Sequence, residues 1–182
     1  MKTKTVTVVP YDEQWPQAFD KIKAELIQAL ANLITRVEHV GSTSVAGLWA
    51  KPVIDIDVVI ADMEVFPTVV DRLAAIGYVH EGDLGINGRE AFKYAGKDHL
   101  MKHHLYVCPE NSQELKRHLT FRDYLRTHPE AVQEYSGVKR QAAQLYPQDI
   151  DKYIEYKSPC IEKIYRQCGL YARLKITMPI SL

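Results

Sequence analysis

Two short polar segments of this chain have the residue types and spacing needed for phosphate chemistry. The first is the turn at residues 41–44 (Gly-Ser-Thr-Ser), and the second is the pair Asp55 and Asp57 within the apolar run 53–60. A small turn rich in glycine and hydroxyls brings N–H and O–H groups close to phosphate oxygens. Carboxylates two residues apart on a strand share a face, and Mg²⁺ binds such carboxylates together with substrate phosphates. The two segments therefore predict metal-dependent phosphate chemistry, with Mg²⁺ or Mn²⁺ held by Asp55 and Asp57.

A simpler interpretation is an ordinary loop followed by a strand that shows its aspartates to water. The residues around the pair favour a buried strand instead. Val53 and Val59 lie on the face of the aspartates, and Ile54 and Ile56 lie on the other, so both faces carry apolar side chains. Two unpaired carboxylates on a strand covered on both sides would be costly without a cation, which favours the functional interpretation.

The elements that must position these residues form a sheet followed by a helical part. Apolar alternation predicts strands at residues 5–10, 35–40, 53–60, 78–81, 90–94 and 103–108, and helical spacing predicts helices at about 15–33, 66–76, 113–127, 130–145 and 150–168. Pro159 is expected to kink or restart the last helix. Residues 173–182 are β-like and predict an extra strand or a frayed end.

This pattern predicts a mixed β-sheet of about five strands flanked by helices, in the α+β (or α/β) class, because hairpins occur beside helical crossovers. We expect one domain over residues 1–182, with the sheet core at about 5–108 and the helical part at about 112–168.

Composition indicates a soluble globular protein, with 46% hydrophobic residues in a chain of 182. The 23 basic and 23 acidic residues balance, so no global positive field favours a long nucleic acid as partner. The amino-terminal residues lack the apolar region of a signal peptide, and no stretch is long enough to span a membrane. We therefore expect a cytoplasmic protein whose three cysteines, which lack metal-ligand spacing, are reduced.

Three motifs resemble the GrpB family. They are RVEHVGSTSVAGLWAKPVIDIDV at residues 36–58, LTFRDYLRTHP at residues 119–129 and YSGVK at residues 135–139. The likeness extends from residue 8 to about residue 163, and the first two motifs are specific. The chain departs from the family at Ala46, where proline is usual, and residues 170–182 have no counterpart in it.

The GrpB family is grouped with the nucleotidyltransferase superfamily that includes DNA polymerase beta. The resemblance therefore implies a mixed sheet flanked by helices, with a Gly-Ser signature before an Asp-x-Asp strand. By that analogy Gly41 and Ser42 would hold a nucleoside triphosphate, and Asp55 and Asp57 would hold divalent ions. In-line attack on the α-phosphate would then transfer a nucleotidyl group to a small-molecule or protein acceptor.

The superfamily normally supplies a third carboxylate from a later strand, and the corresponding segment here, residues 103–108, contains no acid. His104 and Glu90 are the candidates for its role as base. Neighbouring strand residues point to opposite faces, and we expect His104 to face the acids and His103 to be solvated at the strand entrance. A hydrogen-bonded core histidine and a solvated Glu90 are the alternatives.

Basic side chains are expected to hold the phosphates, with Arg offering two parallel hydrogen bonds and Lys a point charge. Most charges on helices are merely solvated, but Arg122, Lys139 and Lys157 lie in motifs of the resembled family. The predicted phosphate-binding set is Gly41, Ser42, Thr43, Lys51, Arg89, Arg122, Lys139 and Lys157.

Two functions remain open at this level. The first is a Mg²⁺-dependent nucleotidyltransferase, favoured by the intact Gly-Ser turn and aspartate pair. The alternative is a non-catalytic nucleotide- or phosphate-binding module, favoured by the missing third acid. Related domains occur fused to dephospho-CoA kinases, so the resemblance links such a module to coenzyme A metabolism. The fold alone does not choose between them.

Overall fold

The computed structural model describes residues 5–170, which form a five-stranded sheet and five α-helices. The strands are β1 (Arg36–Val40), β2 (Ile54–Ile60), β3 (Tyr78–Gly82), β4 (Glu90–Tyr94) and β5 (His103–Pro109). The helices are α1 (Trp15–Leu30), α2 (Phe66–Ala75), α3 (Gln113–Thr127), α4 (Pro129–Leu145) and α5 (Ile150–Gln167). The spatial strand order is β1-β2-β5-β4-β3. The predicted mixed α+β architecture is confirmed.

The central strand, β5, is parallel to its neighbour β2. All other neighbouring strands are antiparallel. The register of β2 against β5 places Asp55 opposite His104 and Asp57 opposite Tyr106. Paired residues of neighbouring strands share a face, so these four side chains occupy one side of the sheet, called here the aspartate face.

The opposite face carries the larger hydrophobic core. Ile54, Ile56 and Val58 of β2 are fully buried there against the apolar stripe of α1, which includes Ile22 and Leu26. The stripe follows from the i, i+3, i+4 spacing of apolar residues on a helix. Burying each such side chain contributes roughly 1.5–3 kcal/mol, so this face anchors β2 firmly and leaves its other face for polar residues.

The helical part forms a second core that clamps the loop after β1. Val45 and Leu48 of that loop pack with Leu125 of α3, Tyr135 of α4 and Ile161 of α5. Because the loop is held between the sheet and these helices, residues of α4 and α5 reach the turn at residues 41–44.

Three predicted elements differ from the structure. Residues 5–10 form only an isolated bridge between Val9 and Ala50, because the next hydrogen-bonded pair of such an antiparallel ladder would need an N–H from Pro52, which has none. Helix α1 ends at Leu30 and continues as a single 3₁₀ turn, Ala31–Leu33. Helix α5 runs through Pro159 without a restart.

Helix α5 tolerates its proline because both Pro159 and Glu155, whose carbonyl loses its helical partner, are exposed to water. The predicted extension at residues 173–182 lies outside the described residues. Within residues 5–170, no helix combines the length and apolar character needed to cross a membrane.

Candidate functional site

The turn after β1 has a backbone shape that requires glycine at its first position. Gly41 has φ +68° and ψ −171°, a combination that is essentially restricted to glycine. Ser44 Oγ donates to the Gly41 carbonyl at 2.6 Å, and Arg126 of α3 donates to the Ser44 carbonyl from Nε at 3.0 Å and Nη2 at 2.8 Å. The turn is therefore fixed both from within and from the helical part.

Gly41 also makes room for an acid. A Cβ placed on Gly41 would lie 2.2 Å from Asp55 Oδ2 and 2.9 Å from Asp55 Cγ. The expected close approach at this glycine is present, but the group that approaches is the Asp55 carboxylate. The turn and the first aspartate thus form one packed unit.

Two predicted phosphate ligands are already engaged by the protein. Thr43 is 1% exposed, and its hydroxyl donates to the Val53 carbonyl at 3.2 Å. Arg122 donates to Glu38 Oε2 at 2.7 Å and to Asp123 Oδ1 at 2.8 Å. The expectation that Thr43 and Arg122 face a phosphate is wrong, because their donors stabilise the turn and β1.

Asp55 and His104 form a partly exposed pair on the aspartate face. His104 Nδ1 lies 2.8 Å from Asp55 Oδ1, and the His104 side chain is 48% exposed against 15% for Asp55. Burial alone would raise the pKa of Asp55, but the hydrogen bond and charge of His104 and the charge of Lys51 lower it below its usual value. Because an ionised carboxylate only accepts, Nδ1 of His104 donates in this contact, and Nε2 is the ring nitrogen that Asp55 does not engage.

His104 therefore faces the acids as expected. The expectation that His103 is solvated is wrong. His103 lies on the opposite face, 3% exposed, within 2.7 Å of the Tyr78 hydroxyl. The strand entrance is covered by Tyr94, whose ring stacks on His103 at 4.2 Å. Sequence position along the strand did not reveal this cover.

Asp57 is closed off from solvent. Its side chain is 0% exposed, and its Oδ2 lies 2.7 Å from Nδ1 of the equally buried His118. Its Oδ1 has no hydrogen-bond partner in the described part of the chain. Among residues 5–170 no group of three or more His, Cys, Asp or Glu side chains has the arrangement of a metal site.

Two further buried charges lie on the aspartate face, Arg117 of α3 and Arg89 directly before β4. Arg117 forms an ion pair with Glu114 and donates to the Tyr165 hydroxyl at 2.9 Å. Arg89 is 2% exposed and lies over the Tyr106 ring at 4.1 Å. The structure therefore covers the Arg89 guanidinium with protein, and the expected contact of Arg89 with a phosphate stays a prediction.

Glu90 lies on the other side of the sheet from the aspartates. It pairs with Val107, whereas its neighbour Ala91 pairs with Tyr106 on the aspartate face. Its Oε2 lies 2.6 Å from His80 Nε2. The expectation that Glu90 could replace the third acid is wrong, because the register of β4 against β5 turns it away.

The remaining predicted residues converge on a small cavity, called here the lysine pocket. Its polar lining consists of Ser42, Lys51, Asp55, His104, Lys139 and Lys157. Lys139 Nζ donates to Ser42 Oγ and to the Trp49 carbonyl, the latter at 3.2 Å. The cavity measures about 30 Å³, which holds a water or a phosphate oxygen but not a nucleotide.

The lysine pocket carries more positive than negative side chains. Burial and the charge of Lys51 together lower the pKa of Lys157 to about 7, against the attraction of Asp55. Burial also holds the pKa of Lys139 well below its ordinary range, with repulsion from Lys157 adding to it. Burial lowers the pKa of Lys51 as well, against the attraction of Asp55. An anion bound among these lysines would favour their charged forms.

Helix α3 has a buried polar face that was not predicted. Glu114, Arg117 and His118 are spaced three and four residues apart and all lie within 5% exposure. Their spacing was the available signal, since residues at i, i+3 and i+4 share a helix face. Charged residues on a helix usually indicate a solvated face, so this face of α3 was expected to be exposed to water.

Comparison with known proteins agrees with this geometry. A family model described as GrpB protein matches residues 5–167. The glutamate-rich protein GrpB of Alkalihalophilus pseudofirmus is 33% identical over 167 residues, covering 89% of this chain and 95% of that protein. The protein YqkA of Bacillus subtilis is 34% identical over 159 residues, covering 87% of this chain and 46% of YqkA.

A more distant relative is named dephospho-CoA kinase, from Mycolicibacterium paratuberculosis. It is 29% identical over 192 residues, covering 92% of this chain and 47% of that protein. The chain thus spans about half the length of this relative and of YqkA.

Solved structures show the same relationship. The crystal structure of GrpB from Enterococcus faecalis has a TM-score of 0.79 and 36% identity, covering 89% of this chain and 96% of that one. Cid1 in complex with the UTP analog UMPNPP has a TM-score of 0.50 at 8% identity, covering 72% of this chain and 40% of that one. A cytoplasmic RNA terminal U-transferase has a TM-score of 0.51 at 11% identity, covering 72% and 44%. At such identities the last two establish fold alone. The chain therefore belongs to the GrpB family, and its fold is similar to that of Cid1 and of the terminal U-transferase.

Proposed function

We propose that this chain binds the triphosphate of a nucleoside triphosphate with Mg²⁺ at the lysine pocket, and transfers the nucleotidyl group to an acceptor hydroxyl. The convergence of Lys51, Lys139 and Lys157 on Ser42 and Asp55 carries the proposal. Three lysines face a single carboxylate, and a bound anion would favour their charged forms, so the pocket suits an anion of several charges.

The phosphate would contact the pocket from its mouth. Because the cavity holds only a phosphate oxygen, the rest of the triphosphate would lie outside, beside Ser42 and Lys51. Lys139 already donates two hydrogen bonds, and an ammonium has a third proton to give. The buried lysines thus stabilise phosphate charge from behind while the turn positions it.

Asp55 suits Mg²⁺ better than Asp57 does. Asp55 is partly exposed and lines the pocket, and phosphate oxygens would complete the coordination of a hard cation. Asp57 would bind the same cation through Oδ2 only if His118 released that oxygen. The other oxygen of Asp57, Oδ1, has no hydrogen-bond partner among the described residues and is compatible with a further ligand. When bound, Mg²⁺ would offset charge on the phosphate oxygens.

His104 is the base in this proposal. Its Nδ1–H is held by Asp55, which leaves Nε2 to take the proton of the acceptor hydroxyl. The acceptor oxygen then bonds to the α-phosphorus as the bond to pyrophosphate breaks. Asp55 would orient the imidazole and stabilise its cationic form.

A second candidate is a non-catalytic nucleotide- or phosphate-binding module. Two observations favour this candidate. His118 covers Asp57, and Glu90 lies on the opposite face, so neither acid is accessible beside Asp55 on the aspartate face. The relative named dephospho-CoA kinase makes coenzyme A metabolism the context to test for such a module.

One experiment separates the two. The protein is incubated with each of the four nucleoside triphosphates and Mg²⁺ or Mn²⁺, and both the melting temperature and pyrophosphate release are measured. A rise in melting temperature with release supports the transferase, and a rise without release supports the module. Lys139→Met should abolish the rise, whereas Lys116→Met, at an exposed position of α3, should retain it. Absence of any rise in the unmodified protein would refute both.

A further inference from the structure

We infer that the groove beside the β4–β5 hairpin binds the acceptor, a small hydroxyl-bearing molecule that also carries an anionic group. The hairpin groove, as we call it, is lined by residues 92–98, 100 and 102–104, together with Glu81. This inference rests on the proposed function, because it assigns the second substrate of the same site.

His104 connects the two spaces. It lines the lysine pocket on one side and the hairpin groove on the other. Since Asp55 holds its Nδ1, a hydroxyl in the groove would be within reach of the imidazole that also borders the phosphate. An acceptor must contact the His104 imidazole and the bound phosphate at the same time. The hairpin groove adjoins the lysine pocket at His104 and provides a place for such a molecule.

The volumes agree with this division. The hairpin groove encloses about 670 Å³, within the range of roughly 300–1,000 Å³ that small-molecule sites occupy. The lysine pocket, at about 30 Å³, has no room for a second reactant. Ala95 and Gly96 at the hairpin turn leave the groove unfilled by side chains, and a Cβ on Gly96 would meet nothing within 4 Å.

The floor of the groove is already ordered. Tyr94 stacks on His103 at 4.2 Å, and its hydroxyl accepts the His103 N–H at 2.9 Å. Phe92 beside them is 5% exposed. A floor fixed by stacking and hydrogen bonds needs little rearrangement on binding, which lowers the entropic cost of binding a small molecule.

The charges of the groove select an anion. Lys102 is exposed, lowers the pKa of Lys51 by repulsion, and has no ion-pair partner among residues 5–170. Lys93 contacts Glu81 only at 3.5 Å with 63% of its side chain exposed, and Lys97 is paired with Glu25. Asp98 also lines the groove, so the anionic group is expected at the Lys102 end, next to His104.

A different groove serves as the comparison. The space of about 320 Å³ beside Trp49 and Arg140 does not include His104. A molecule bound there could not present its hydroxyl to the imidazole. Binding in this second groove would therefore contradict the inference.

The test uses ribose 5-phosphate as probe and ribose as its uncharged counterpart. Backbone amide shifts of the protein are recorded by NMR with Mg²⁺ and a saturating, non-hydrolysable nucleoside triphosphate analogue, whose own binding is established first. We expect ribose 5-phosphate to shift the amides of residues 93–104 and ribose to bind at least tenfold more weakly. Lys102→Glu should weaken the probe at least tenfold, and Lys116→Glu, on exposed α3 surface, should not.

The other outcomes distinguish the failures. If the analogue binds but the probe does not shift the groove amides, the inference is wrong and the proposed function stands. If the analogue itself occupies the groove and excludes the probe, the groove belongs to the nucleotide. Shifts confined to Trp49 and Arg140 would also overturn the inference. If the analogue does not bind, the proposed function fails and the inference falls with it.

Discussion

Gly41 and Asp55 are packed so closely that one determines the position of the other. The Asp55 carboxylate fills the space that a side chain on Gly41 would need, with Oδ2 at 2.2 Å from the Cβ position. The turn at residues 41–44 and strand β2 are therefore coupled by direct contact.

Gly41→Ala should lower both stability and triphosphate affinity. The backbone region alone costs about 1–3 kcal/mol for a non-glycine residue, and the new methyl must displace Asp55. Urea unfolding and calorimetry with nucleoside triphosphate and Mg²⁺ measure the two effects. Gly47→Ala is the matched control, because Gly47 also has positive φ, +80°, but nothing lies within 4 Å of its Cβ position. Equal loss of affinity in both variants would show that the Asp55 contact has no role in binding.

Asp57→Ala should be far more destabilising than Asp55→Ala. Removing Asp57 leaves the buried Nδ1–H of His118 without its acceptor, at a cost of about 3 kcal/mol. Asp55 is partly exposed, so water replaces its contact with His104. Urea unfolding of both variants checks this order. The Asp57→Ala His118→Ala double variant should lose less than the sum of the single losses, and strict additivity would contradict the pairing.

Lys157 should make stability rise with pH above neutrality. Burial lowers its pKa from 10.5 to about 7, so between these values the unfolded chain binds a proton that the folded protein does not. Stability increases with pH wherever the unfolded state binds more protons. Urea unfolding at pH 7, 8 and 9 should show the wild type gaining on Lys157→Met by up to about 1.4 kcal/mol per pH unit. Parallel pH profiles of the two proteins would refute the shift.

Triphosphate binding should take up protons at pH 8. With a pKa of about 7, most Lys157 is neutral at that pH, and a bound polyanion favours the ammonium form. Calorimetry with inorganic tripolyphosphate in two buffers of different ionisation enthalpy measures the uptake. Affinity should fall as pH rises from 7 to 9, and Lys157→Met should flatten this dependence. An uptake of zero in the wild type would place the anion elsewhere.

Much of the fold could be predicted because the strands and helices follow from the spacing of apolar residues within each segment. Apolar periodicity identified every strand of the sheet and each helix of the described chain, although it also predicted a strand at residues 5–10. Such patterns describe single segments, and the bridge between Val9 and Ala50 shows that a strand also needs a partner of sufficient length.

The site was predicted less completely because its geometry depends on register and on distant contacts. Alternation assigned opposite faces to His103 and His104, but the face of Glu90 follows from its pairing with Val107, which no local pattern specifies. The role of His118 depends on a contact with Asp57 across 61 residues of sequence. The positions of Lys139 and Lys157 were suggested by motif resemblance, and it is their convergence on Ser42 that the structure adds.

The contact between Lys139 and Ser42 spans 97 residues of sequence, and Lys157 lies further still along the chain. Closing a loop of this length costs chain entropy that local contacts do not cost, so we expect these contacts to form after the helices themselves. The strand pairs all lie within residues 36–109, whereas the lysine pocket is complete only when Lys139 of α4 and Lys157 of α5 are in place. A ligand of this pocket would therefore act as a sensor of completed folding, binding only to molecules in which the last two helices are in place.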